Sequence, residues 1–130
     1  MRNSMIILFG LYLGFTANAQ ETFLTEMEAA THSEDFCLVS AYFDEVSLGK
    51  TSEQSKTAAL DSCVKPGTGR LGYVAYMADK FEDSPVSDSE AAQLKKEIRG
   101  YGAMALNLGV IKCESNRSSK ADCLVLLKLN

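Results

Sequence analysis

The stretch LGYVAYMADKFED, residues 71–83, decides the fold class. Its apolar residues Leu71, Val74, Ala75, Ala78 and Phe81 recur at i, i+3, i+4, i+7 and i+10, with Tyr76, Asp79, Lys80 and Asp83 opposite. That spacing lays one apolar stripe along a helix. Ser84-Pro85 ends it, because proline disfavours helical backbone at the residue before it.

Upstream, Thr51-Ser52-Glu53-Gln54 has the pattern of a capping box and opens a helix that runs to Val64, where Pro66 and Gly67 stop it. Phe36, Val39, Phe43 and Val46 fall at i, i+3, i+7 and i+10 and predict another helix, with Asp35, Ser40, Asp44 and Glu45 off the stripe. Thr31-His32-Ser33-Glu34 reads as its capping box, with a separate short helix over Thr22 to Ala30 before it.

Downstream, Ser87-Asp88-Ser89-Glu90 caps a helix whose stripe runs Ala91, Leu94, Ile98, Tyr101, Ala105 and Leu108. Gly100 and Gly102 are expected to weaken or bend its middle. Beyond it, Leu106, Leu108 and Val110 alternate as a strand would, and Cys123 to Leu129 is an apolar run of either type. The fold expected is all-α, a small disulfide-stabilised helical bundle, with an α+β domain closed by a C-terminal hairpin as the alternative.

The first 19 of the 130 residues read as a secretory signal peptide: Arg2 supplies positive charge, Met5 to Phe15 is apolar, and Ala17-Asn18-Ala19 is a small-x-small cleavage site. Residues 20–130 then form a single helical domain, periplasmic or secreted, and eleven apolar residues are too few to anchor it in a bilayer. Cleavage removes one base and no acid, taking the formal net charge from −4 to −5. Such a balance argues against nucleic acid as a partner. Residues 20–49 carry seven acids and no Lys or Arg, an acidic surface that suits solubility first and a basic partner second.

Four cysteines, Cys37, Cys63, Cys113 and Cys123, behind an export signal predict two disulfides and an oxidising compartment. Three connectivities exist, and Cys37 with Cys63 and Cys113 with Cys123 is preferred because neighbouring antiparallel helices bring such ends together. No C-x-x-C pair occurs and the single His is far from the cysteines, so neither a metal nor another cofactor is expected.

Catalytic groups are scarce. His32, the only imidazole, sits in a capping pattern and reads as a solvated helix-start residue. The acid pairs Asp44-Glu45 and Glu82-Asp83 are adjacent in sequence and so diverge on a helix. Gly67-Thr-Gly69-Arg-Leu-Gly72 lacks the Gly-Lys-Ser/Thr ending of a phosphate loop and reads as a loop between helices. Asn116-Arg117-Ser118 is a glycosylation sequon, of use only in a eukaryotic host. The chain is not expected to be an enzyme.

Phe36-Cys37, Tyr42-Phe43, Cys63-Val64-Lys65-Pro66-Gly67, Leu71, Val74, Phe81, Pro85 and Cys113 together resemble the small periplasmic immunity proteins of type VI secretion amidase effectors. The specific part is the 22-residue step from Cys63 to Pro85 with helical stripe residues between. Met27 stands near an early cysteine position of that pattern, the stretch from Pro85 to Cys113 is longer, and Cys123 is additional. The resemblance implies a helical, often dimeric periplasmic protein that binds a peptidoglycan amidase effector and occludes its active site. The alternative is a non-catalytic envelope or secretion-system adaptor. For an occluding surface the candidate anchors are Tyr73, Tyr76 and Tyr101, with the acids of the N-terminal segment.

Overall fold

Residues 17–47 contain neither glycine nor proline, so a helix that starts there meets no intrinsic stop. The computed structural model describes residues 17–82 and 86–130, with the side chains of 22–80 and 86–130. One helix, α1 (Ala17–Ser47, 31 residues), fills the first segment and is about 46 Å long at 1.5 Å per residue. The two helices expected there are therefore one, and Thr31-His32-Ser33-Glu34 is not a cap: Thr31 is itself helical. Residues 1–16 of the expected signal lie outside the described residues, and Ala17-Asn18-Ala19 form the first turn of α1.

Gly49, at φ +88°, reverses the chain into α2 (Ser52–Cys63). Here the capping box forms as expected: the Gln54 N–H donates to Thr51 Oγ1 at 3.2 Å and the Thr51 N–H to Gln54 Oε1 at 3.1 Å. α2 folds back along the C-terminal half of α1, and the Cys37–Cys63 disulfide ties the two together. Pro66 and Gly67 then interrupt the path before α3 (Gly69–Glu82).

The loop expected over Gly67–Gly72 is shorter, because α3 starts at Gly69 and Gly72 lies within its first turn. A Cβ on Gly72 would lie 2.4 Å from the carbonyl carbon of Gly67, so only glycine lets the chain re-enter a helix this tightly. α3 continues in the direction of α2, antiparallel to α1, as Arg70 meets Asp35 and Tyr73 meets Phe23. The expected stop at Ser84-Pro85 lies outside the described residues.

Ser87 caps α4 (Asp88–Ser115), its hydroxyl accepting from the Glu90 N–H at 3.2 Å. α4 runs parallel to α1: Gly102 packs on Leu38, Gly109 lies beside Val39, and Tyr42 bonds Glu114. A last short helix, α5 (Lys120–Leu126), opens at Ser119 and is clipped to α4 by Cys113–Cys123. The tail is thus helical, and no strand forms among the described residues. The fold is a disulfide-stabilised all-α bundle in which α1 is the spine, α2 and α3 lie end to end along it, and α4 returns beside it.

Two stripes depart in part from the apolar spacing, with Val39 on α1 and Leu94 and Ile98 on α4 buried as expected. On α1 the buried residues are Phe23, Glu34, Leu38, Val39 and Tyr42, while Phe36 and Val46 are exposed. On α4 they are Leu94, Ile98, Gly102, Leu106, Gly109, Val110 and Cys113, which leaves Tyr101 and Leu108 outside. Glycine explains the second shift, because Gly102 admits Leu38, Leu60 and Val64 against the helix backbone and Gly109 admits Leu127. Gly100 and Gly102 do not interrupt α4, whose helix is continuous. α3 follows its expected stripe at Leu71, Val74 and Ala78, with Met77 also buried.

Candidate functional site

Glu34 and Asp35 are successive residues on α1, and Arg70 opens α3 opposite both. Arg70 Nε lies 3.0 Å from Glu34 Oε2, and the Arg70 guanidinium pairs through Nη2 with Asp35 Oδ1. The side chains are 0%, 24% and 9% exposed for Glu34, Asp35 and Arg70, so two carboxylates share one guanidinium in a nearly dry site. Burial raises Glu34 from 4.5 to about 7, against the Arg70 charge that favours the carboxylate, and Asp35 adds to the rise. Burial also raises Asp35, opposed by Arg70 and by His32. With Glu34 raised to about 7, its proton offsets the second negative charge below that pH, which leaves the Asp35–Arg70 ion pair as the charges of the cluster.

Asp35 and Arg70 also form the floor of a groove of about 550 Å³. Met27 and Thr31 of α1 make one wall. Ile98, Tyr101, Met104, Ala105 and Leu108 of α4 make the other. Along the exposed face of α4, Tyr101, Met104, Leu108 and Ile111 recur at i, i+3, i+7 and i+10, and Leu108 is 65% exposed. α4 therefore carries two apolar stripes, one buried in the bundle and one facing out beside the groove.

The structure separates the three tyrosines named as anchors. Tyr73 is not exposed: its ring packs on Phe23 with centroids 5.7 Å apart, its hydroxyl donates to the Phe23 carbonyl at 3.4 Å, and burial with Glu26 nearby raises its pKa. Tyr76 is exposed on α3 with Lys80 Nζ 5.8 Å from its ring centre. Tyr101 alone belongs to the groove.

The acidic N-terminal segment is likewise not one solvated face. Glu34 and Asp35 turn in to Arg70, Glu45 pairs with Lys50, and Asp44 with Lys120 at 2.9 Å. Glu26 and Glu28 are exposed near the groove end of α1. His32 is exposed within α1 rather than at a helix start. The Asp44-Glu45 pair diverges toward different partners, and Asp83 lies outside the described residues. All four cysteines are in disulfides, with the preferred pairing. No cluster of His, Cys, Asp and Glu among the described residues could hold a metal, and no helix among them is long and apolar enough to cross a membrane.

The residues that make the groove were hard to single out in sequence. Glu34 and Arg70 each read as part of a turn or cap pattern, so their pairing across 36 positions had no local signal. The outer stripe of α4 did have one: Tyr101, Met104, Leu108 and Ile111 keep helical spacing, but a stripe of that kind is normally the core face.

No protein-family model matches the chain, and no solved structure matches it. A curated protein similar to it is the cysteine repeat modular protein B of Toxoplasma gondii, 38% identical over 68 residues, which is 49% of this chain and 1% of that protein. The chain thus spans about 1% of the length of that relative.

Proposed function

We propose that this chain is a non-catalytic binding protein, and specifically a periplasmic immunity protein that occludes a peptidoglycan amidase effector of type VI secretion. The observation that supports the binding role most is the outward apolar stripe of α4 beside the groove, on a helix whose other face is locked into the core. The two disulfides are the chemistry of an oxidising compartment, in keeping with export. Identification of the partner as an amidase rests on the resemblance that runs from Phe36 to Cys113. Its Cys63-Val-Lys-Pro66-Gly67 step corresponds to the disulfide and bend between α2 and α3. A homodimer belongs to the same reading.

Occlusion needs a rigid surface and no general base, so His32→Ala should inhibit as well as the wild type. The test is titration of the amidase encoded beside this gene with the mature domain, following muropeptide release. Cleavage should stop at one equivalent, and complete cleavage in the presence of excess protein contradicts the immunity reading. The second reading, a non-catalytic envelope or secretion-system adaptor, is favoured by the likeness to a segment of a protein named as modular and cysteine-repeated. Co-purification with envelope components, without inhibition, would establish it.

A further inference from the structure

The two disulfides are not equally placed. Cys113 and Cys123 are both 0% exposed, whereas Cys37 is partly exposed and Cys63, at 5%, ends α2. Cys37 and Cys63 together line a cavity of about 260 Å³ where α1, the end of α2 and the start of α3 meet. We propose that this cavity is a thiol–disulfide exchange site: a dithiol reductant enters it and opens Cys37–Cys63 in the folded protein, while Cys113–Cys123 stays closed. The proposal goes beyond the inhibitor reading and does not rest on it.

Access selects the bond. Exchange requires a thiolate to reach a disulfide sulfur, so a fully buried cystine opens only when the chain around it unfolds. Charge favours the approach to the other one. The incoming thiolate is an anion, and the cavity presents it with the exposed Lys65 and with Thr68 and Gly69 at the N-terminal end of α3, the positive end of that helix. Glu34 also lines the cavity, but its carboxyl is buried beside Arg70, so Lys65 is the exposed charge there.

The step balances between the two partners. The first thiolate of the reductant attacks Sγ of Cys37, the more exposed sulfur; a mixed disulfide forms, the Cys37–Cys63 bond breaks, and Cys63 leaves as a thiolate that takes up a proton. The second thiolate of the reductant then attacks the reductant's own sulfur in the mixed disulfide and releases Cys37. The reductant is oxidised to its disulfide, and its two electrons and two protons end on Cys37 and Cys63 as thiols. Cys37 lies one helical turn from Glu34, so opening removes the cross-link nearest the Glu34–Asp35–Arg70 cluster and leaves this end held by packing and charge alone. The bond is a redox-sensitive fastener.

The probe is dithiothreitol, added without denaturant to the oxidised protein, with free thiols trapped at intervals by an alkylating agent and located by peptide mass spectrometry. Cys37 and Cys63 should be alkylated at least about ten-fold faster than Cys113 and Cys123. At that stage circular dichroism should still show a helical fold, and the melting temperature should be lower by at least about 10 °C. Lys65→Glu should slow the opening by about three-fold or more, because it places an anion in the path of a thiolate. Lys112→Glu makes the same charge change at an exposed position near the other end of the bundle and should alter the rate by less than about 1.5-fold. Both cystines opening at one rate, Cys113–Cys123 opening first, or neither opening short of unfolding would overturn the site. Equal effects of the two Lys variants would overturn the part played by the cavity, and an unchanged melting temperature would overturn the fastener.

Discussion

Around Tyr42 the bundle is closed by covalent bonds and a hydrogen-bonded hydroxyl, and around Arg70 it is closed by charge. At the first end Cys113–Cys123 joins α4 to α5, Tyr42 Oη lies 3.1 Å from Ser52 Oγ and donates to Glu114 Oε1 at 2.9 Å, and Lys120 reaches Asp44. At the second, beyond Cys37–Cys63, α3 is held to α1 by the Glu34–Asp35–Arg70 cluster and by a small separate core of Phe23, Met77 and Ala78. Loss of a polar contact at the covalent end leaves the disulfides' restriction of the unfolded chain in place. At the charged end the nearest cross-link is Cys37–Cys63, one helical turn from Glu34, and beyond it α3 is held to α1 without a covalent bond.

The sharpest way to break this contrast is Arg70→Ala. It leaves two carboxylates in a nearly dry site and should cost about 4 kcal/mol in denaturant unfolding, with most of the loss regained when Glu34→Gln is added. A variant that does not fold alone is still read through the double variant: if that double variant is no more stable, charge is not what closes this end. At the covalent end, replacing Cys37 and Cys63 together by Ala opens a loop with 26 residues of separation and should cost about 3.5 kcal/mol. The Cys113 and Cys123 pair, only 10 apart, should cost about 2.8 kcal/mol.

The carboxyls with raised pKa, Glu34 and Asp35, are at the charged end. Glu34 has its folded pKa raised from 4.5 to about 7, so its protonated form contributes stability that is fully present below pH 4.5 and is lost as pH rises through about 7. Thermal unfolding should therefore occur at higher temperature at pH 5 than at pH 7.5, and Glu34→Gln should flatten that difference while leaving the effect of removing Cys113–Cys123 unchanged. The smallest effect is at the middle of α4. Gly102→Ala adds a Cβ at ordinary contact distance, 3.4 Å, from Leu38 and Leu60 and should stabilise by up to about 1 kcal/mol through helix propensity. A loss there would mean that α4 cannot shift at all against α1.

How far the sequence carried differs between the two ends for the same physical reasons. The covalent end was legible: the Thr51 box caps α2, Pro66 and Gly67 end it, and both cystines pair as the neighbouring helices suggested. Each of those signals is local or has few combinations. The charged end was not, because Glu34 belongs to a genuine capping pattern that a breaker-free helix overrides, and because its partner is distant in sequence. On α4 the apolar count placed Tyr101 and Leu108 in the core, where Gly102 and Gly109 are instead. A pattern built on side chains does not see a face made by their absence.

If the proposed inhibitor role is right, docking takes place at the charged end, and hydrogen–deuterium exchange of residues 20–130 with and without the amidase proposed as partner tests it directly. Binding should slow exchange in α1 around residues 24–35 and in α4 around 97–111, and leave α2 and α5 unchanged. Protection centred on α2 and α5, or none in the presence of saturating amidase, would contradict it.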